Sequence, residues 1–197
     1  MYRHFFKRLF DLVLALIALP FWLIILIIVS PIIYFQDNGS IFYNASRLGK
    51  NGKIFKMYKF RSMKMSAPDI RNEDGSTFNS EDDPRLTKIG KILRKTSLDE
   101  TPQLLNIIKG EMSIIGPRPD LPEAINIYQG DERLKISVRP GVTGYSQAYY
   151  RNSISAKDKF ANDIYYVNHI SLLLDLKIII KTVLSVLKNR NIYVSAD

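Results

Sequence analysis

The sequence predicts an α+β chain, mostly helical: an N-terminal re-entrant membrane helix, interfacial amphipathic helices, and a small domain with a short β element. Three observations carry that expectation. Leu12 to Phe35 is an uncharged, strongly apolar run, an aromatic–lysine alternation follows it, and the second half of the chain shows helical apolar spacing. The chain divides at residue 40, with 1–40 as the membrane-embedded helix and 41–197 as the remaining domain.

The 197 residues carry a formal net charge of +9. Such a balance suits an anionic partner: nucleic acid, acidic lipid headgroups or a phosphorylated substrate. There is no cysteine, and the only histidines are His4 and His169. Disulfides, thiolate metal sites and cysteine nucleophiles are excluded, and a histidine-built zinc site or triad is disfavoured. Any metal is expected to be a hard cation held by carboxylate oxygen.

The first element is the run "LVLALIALPFWLIILIIVSPIIYF". As a helix rising about 1.5 Å per residue it exceeds the roughly 30 Å hydrocarbon core of a bilayer. A secretory signal is the competing reading, but its apolar region is about 7–15 residues and ends in a small-residue cleavage site. Both flanks are basic: Arg3, Lys7 and Arg8 before the run, Arg47, Lys50, Lys53, Lys56, Lys59 and Arg61 after it. A spanning helix usually carries its lysines and arginines on one side. Ser30-Pro31 adds a helix-breaking proline, with a serine hydroxyl able to satisfy a freed carbonyl. A kinked helix returning to its face of entry accounts for both features; an ordinary span with a mild kink is the alternative.

The segment 53–65, "KIFKMYKFRSMKM", alternates as a strand or hairpin. The polar stretch 66–84 reads as a mobile loop. In 85–95, "RLTKIGKILRK", Leu86, Ile89, Ile92 and Leu93 share a helical face and the cations fill the rest. That pattern suits a helix lying at an anionic membrane interface, or a surface helix packed on the domain core. The segment 169–190 reads as a helix with a broad apolar face, interrupted by Asp175, Lys177 and Lys181; core or interface suits it better than a span.

Between the basic helix and the next apolar segment stands "RKTSLDETPQLLNIIKG". Ser97 and Glu100 match a capping box, but Pro102 would then fall inside the helix. Thr101 as N-cap with Pro102 at the first helical position fits better, with the helix running to Lys109 and stopping at Gly110. Asp99 and Glu100 then precede a helix start that favours bound phosphate. Two carboxylates beside arginines suit a magnesium–phosphate site, and a carboxylate can attack phosphorus to form an aspartyl phosphate. Helix-end decoration remains open on spacing alone.

Taken together, "KFRSM", "LRKTSLDETPQLLNIIKGEMSIIGPRPDLP", "VRPGVTGYSQAYYRNSIS" and "DIYYVNHISLLLDLKII" resemble the bacterial sugar transferases. More closely, the chain resembles the small monotopic phosphoglycosyl transferases over nearly its whole length. The resemblance implies transfer of a phosphosugar from a nucleotide diphosphate sugar, a UDP-sugar, to a polyprenol phosphate such as undecaprenyl phosphate. It implies an Asp99–Glu100 dyad with Mg²⁺: Asp99 as the nucleophile carrying a covalent phosphosugar, Glu100 assisting the metal or the acceptor phosphate. It also implies residence in the bacterial inner membrane, with the 41–197 domain at its cytoplasmic face among membrane phospholipids, and no nucleic-acid partner. A homodimer remains open.

Arginine binds phosphate oxygens in bidentate fashion, so Arg94, Arg118 and Arg151, which sit in these motifs, are the expected substrate contacts, with Lys59 and Arg139 behind them. Gly116, Pro117 and Pro119 are expected to fix a rigid turn that aims Arg118. Tyr145, Tyr149 and Tyr150 stack on a base, line a sugar pocket or simply pack. Tyr149-Tyr150 stands where relatives often have Asn-Gly, so the sugar is not transferable from the resemblance. Two other readings compete: a membrane phosphohydrolase passing its aspartyl phosphate to water, and a non-enzymatic basic membrane adaptor.

Overall fold

Residues 7 to 37 form one helix because almost nothing in them opposes it; what positions that helix is a narrow buried stripe. The computed structural model describes residues 1–70, 78, 80, 82–150 and 153–187. A short π-helical turn, Tyr2–Phe6, leads into α1, Lys7–Asp37, of 31 residues. Its buried residues are Lys7, Asp11, Ala15, Trp22, Val29 and Ile33, at the three-to-four-residue spacing, or multiples of it, that lines one helix face. The other faces expose Leu16, Phe21, Ile24, Ile27, Ile28 and Phe35. α1 is the one helix among the described residues long and apolar enough to cross a membrane. It contains Pro20 and Pro31 and ends at Asn38 in the left-handed conformation. The expectation that Ser30 satisfies a freed carbonyl is not met: its hydroxyl is buried without a hydrogen-bond partner.

An antiparallel hairpin follows, β1 (Phe42–Leu48) and β2 (Ile54–Phe60), running from Phe42↔Phe60 to Leu48↔Ile54. The sequence pattern caught β2 and missed its partner. The signal for the pairing was the turn, where Asn51 and Gly52 both adopt positive φ, as Asn-Gly dipeptides do between strands.

The basic helix, α2, spans Lys88–Thr96 and starts three residues later than its sequence pattern suggests. Arg85 and Leu86 are taken by other partners. Arg85 is buried and forks onto Asp83, and Leu86 bridges to Met63. Thr87 is the N-cap, its hydroxyl accepting from the Gly90 amide at 3.0 Å. The apolar face also divides: Leu93 packs inward on Val29, Ile33 and Phe60, while Ile92 stays exposed.

The helix expected to open at Thr101-Pro102 is α3, Gln103–Lys109, ended by Gly110 in the left-handed conformation. A 3-10 turn, Leu98–Glu100, precedes it, so the chain is already helical before Pro102. Thr101 therefore is not a side-chain cap; its hydroxyl donates back to the Leu98 carbonyl at 2.8 Å. The dyad sits on this 3-10 turn, entered through Ser97 in the left-handed conformation.

The remainder builds a second layer. Short strands β3 (Ser113–Ile115) and β4 (Gly141–Thr143) pair in parallel. Helices α4 (Tyr145–Tyr149), α5 (Ala156–Asn168) and α6 (Leu172–Leu187) cover them around Ile115, Ala148, Tyr166, Val167 and Ile178. At Gly141 a Cβ would lie 2.1 Å from the Gly116 amide nitrogen, so the turn that carries Arg118 is pressed against this glycine.

Polar locks hold α1 to the domain at both ends. Arg61 forks onto both carboxylate oxygens of Asp37 at 2.6 Å each. At the other end Lys7 meets the buried Asp175 at 2.7 Å, and Asp11 accepts from the Ser113 hydroxyl and the Ile114 amide. Arg8 donates to the Ile107 and Ile108 carbonyls at the end of α3.

One glycine makes the α2 placement testable. A Cβ on Gly90 would lie 1.8 Å from the Ser62 carbonyl oxygen. Gly90→Ala is expected to cost about 1–3 kcal/mol or more, by forcing α2 off the end of β2. Thermal melting measures this; an unchanged midpoint would show that α2 does not sit against Ser62.

Candidate active site

The 3-10 turn after α2 places Asp99 and Glu100 against the end of β2. Lys59, on β2, donates to Glu100 Oε1 at 2.6 Å. Arg118, in the turn after β3, reaches the same oxygen at 3.6 Å while its side chain stays half exposed. Arg94, in the last turn of α2, donates from Nε to the Ser62 hydroxyl at 3.1 Å. Ser62 itself was not singled out by its sequence; its place two residues beyond the end of β2 brings it to Arg94. The charges of Lys59, Arg94 and Arg118 all act on Asp99.

The two carboxylates differ in kind. Asp99 is only 8% exposed, and no hydrogen bond from a described residue reaches its carboxylate. Burial pushes it up to about 6; the nearby cations oppose the rise and the Glu100 charge adds to it. Glu100 also feels burial, but Lys59 and Arg118 outweigh it and hold the group down at about 2. Two adjacent carboxylates are thus driven apart by their partners, the pattern by which sites divide roles between like groups.

The other expected contacts fall elsewhere. Arg139 is not brought to the dyad: its Nε donates to the Gly110 carbonyl at 2.7 Å. There it joins Arg8 on the carbonyl end of α3, where cations are favoured. Arg151 lies outside the described residues. Tyr145 stacks on Tyr149 at 4.6 Å and meets Tyr165 edge-on at 5.2 Å, and Tyr165 stacks on His169. Lys181 lies over the Tyr149 ring. This is a partly exposed aromatic ladder between α4, α5 and α6.

Behind the Arg118 turn lies a network the sequence pattern did not indicate. Buried Lys135 bridges Asp120 at 2.7 Å and Asp163 at 3.0 Å, and the Tyr128 hydroxyl donates to Asp120. It ties the loop two residues beyond Arg118 to α5. A buried cation between two carboxylates has no local sequence signature.

No three Asp, Glu or His side chains converge on a metal-sized site among the described residues. The dyad offers two carboxylates, one of which accepts no hydrogen bond from a described residue. That is the complement magnesium takes when phosphate oxygens and water complete its shell, so the donor set fits Mg²⁺.

The family model described as "Bacterial sugar transferase" matches residues 2–189. The chain belongs to the bacterial sugar transferases. Exopolysaccharide production protein ExoY of Sinorhizobium fredii is 42% identical over 95% of this chain and 88% of its own length. The undecaprenyl-phosphate galactose phosphotransferase of Salmonella typhimurium is 36% identical over 96% of this chain and 42% of its own length. The UDP-N-acetylgalactosamine-undecaprenyl-phosphate N-acetylgalactosaminephosphotransferase of Aeromonas hydrophila is 34% identical over 93% of this chain and 44% of its own length. As a sugar transferase the chain is an enzyme, which sets aside the non-enzymatic adaptor.

Proposed function

We propose that this sugar transferase moves a phosphosugar from a UDP-sugar to a polyprenol phosphate, undecaprenyl phosphate, through a covalent intermediate on Asp99. The observation that carries the reading is a carboxylate only 8% exposed that accepts no hydrogen bond from a described residue and feels the charges of Lys59, Arg94 and Arg118. Carboxylates this shielded are usually hydrogen-bonded; the Asp99 oxygens are not among the atoms sealed from solvent without a partner, so this one stands open to a substrate.

In the first step an Asp99 oxygen attacks the sugar-bearing phosphorus, and the bond to the bridging oxygen breaks. Uridine monophosphate leaves with that electron pair. In the second step an oxygen of the acceptor phosphate attacks the same phosphorus, and the aspartyl bond breaks to return the carboxylate. Arg94, Arg118 and Lys59 neutralise the diphosphate; Arg151 is carried over from the family pattern as a further contact. Glu100, held ionised far below neutral pH, is a poor proton acceptor, so its role is to position cations and to share Mg²⁺ with Asp99. The metal, when bound, neutralises charge on the diphosphate.

The acceptor's apolar tail requires the site at headgroup depth. We assign α1 to the bacterial inner membrane as a re-entrant helix, with the domain on the cytoplasmic face. Both ends of α1 are bonded to the same small domain, through Asp37–Arg61 and Lys7–Asp175, and Pro20 and Pro31 allow it to bend. Because the chain lacks cysteine, single replacements test this directly. Phe5→Cys and Gln36→Cys are each expected to react with a membrane-impermeant maleimide in inverted vesicles and not in intact spheroplasts. Labelling from opposite sides would make α1 a span.

The direct test incubates the protein with Mg²⁺ and a panel of UDP-sugars and measures intact mass. A phosphosugar adduct mapping to Asp99 is expected, with stoichiometric uridine monophosphate release before any acceptor is added. Turnover to lipid product without an adduct would overturn the covalent route; monophosphate release that continues without acceptor would favour hydrolysis.

A further inference from the structure

The C-terminal third of α1 and the outer face of α2 enclose an open apolar groove of about 550 Å³. Pro31, Ile32 and Phe35 line one wall, and Lys88, Ile89 and Ile92 the other. On α1 these residues neighbour Val29 and Ile33, which pack on Phe60 and Leu93, so the groove wall is held by the core behind it. Ile32, Phe35 and Ile92 remain 48%, 77% and 57% exposed. The dyad reading leaves this surface without a role.

We propose that the groove binds the first isoprene units of the acceptor, so that its tail lies along α2 while its phosphate reaches Asp99. This rests on the polyprenol phosphate reading proposed above. Two observations select that occupant. The first is continuity: α2 ends at Thr96, and Ser97 leads directly into the turn carrying Asp99. At about 1.5 Å per residue, Ile92 stands only on the order of 10 Å from the dyad, within reach of a phosphate plus a short stretch of chain.

The second is charge complementarity. Lys88, Lys91, Arg94 and Lys95 lie on the nine-residue helix that forms the groove's wall, and no acid does. An anionic head therefore meets cations along the same helix whose apolar side takes the tail. The site is bipolar in the sense of an amphiphile with one phosphate and one chain. Because the branched chain has no directed polar groups, the groove selects by length and apolarity, and a short chain that stops before Ile92 gains nothing from it.

The test compares undecaprenyl phosphate with dimethylallyl phosphate, whose single isoprene unit stops short of Ile92, as acceptors, using the full-length protein in nanodiscs. The ratio of their kcat/KM values is the readout. Ile92→Asn and Ile32→Asn are each expected to lower that ratio about tenfold, the loss of one apolar side-chain contact. A ratio unchanged in both variants overturns the groove assignment. Unmutated protein supplies a second measurement independent of variant folding. Geranyl phosphate with a terminal diazirine is expected to cross-link within residues 31–36 and 88–92, in competition with undecaprenyl phosphate. Cross-links outside those segments, or competed equally by acceptor-free phospholipid, make the groove a bilayer contact and overturn the proposal. Failure of the underlying reading looks different: unmutated protein then yields no lipid-linked product with either acceptor.

Discussion

Asp99→Asn is expected to abolish phosphosugar transfer, with a loss on the order of 10⁴-fold or more, as removal of a covalent nucleophile typically produces. An amide neither attacks phosphorus usefully nor replaces a carboxylate on magnesium. The same change is expected to make the fold more stable at neutral and alkaline pH. The sign follows from burial. The Asp99 carboxyl is raised from 3.8 to about 6 in the folded chain. Below the unfolded value it is protonated in both states and has no effect. As pH rises toward the folded value, the unfolded chain sheds the proton first, and folding stability falls. Above about 6 the penalty is complete. Asparagine removes that penalty, so the variant should melt above the parent at pH 8 and together with it near pH 3.5. Glu100 acts in the opposite sense: its lowered group stabilises above its ordinary value, and that contribution is lost on acidification toward about 2. An Asp99→Asn variant that keeps appreciable activity, or that melts well below the parent at pH 8, would remove Asp99 from the proposed role.

Asp175→Ala is expected to be the most destabilising single change at the α1–α6 junction. Asp175 is fully buried and accepts from Lys7 at 2.7 Å, from the Tyr2 hydroxyl at 2.6 Å and from the Tyr166 hydroxyl at 2.8 Å. Alanine leaves an ammonium and two hydroxyls without their acceptor. Breaking a buried pair by removing one partner costs about 3–5 kcal/mol, whereas replacing both charges by apolar groups is often nearly neutral. The double variant Lys7→Met/Asp175→Leu should therefore recover much of what the single variant loses. Chemical denaturation of the three proteins measures this. Limited proteolysis adds a local readout, since the freed end of α1 should become cleavable before the domain does. A single variant as stable as the parent would mean that this cluster does not tie the helix to α6.

The site was legible where its signals were local and dim where they were not. Asp99 and Glu100 stood out because two adjacent carboxylates at a helix boundary are unusual, and "GPRP" marked Arg118 through its turn residues. Lys59 ranked below Arg94 in the sequence reading, yet it makes the shortest contact to the dyad. Arg139 ranked with Lys59 in the sequence reading, but the pairing of β3 with β4 carries it to the Gly110 end of α3. Nothing in a run of residues says which of several arginines will share a surface.

By itself the sequence determined α1, α2 and the stop at Gly110, and it singled out the adjacent carboxylates Asp99 and Glu100. Apolar length, caps and glycine preferences act within a few residues, so they survive without tertiary context. Only the folded chain decided which cation meets which carboxylate. Lys59 and Glu100 are 41 residues apart, and Lys7 and Asp175 are 168 apart. It also decided that Asp99 would be raised while its neighbour is lowered. Burial and charge depend on what packs around a group in space, so two adjacent acids of nearly equal chemistry became different only when β2, α2 and the Arg118 turn closed around them.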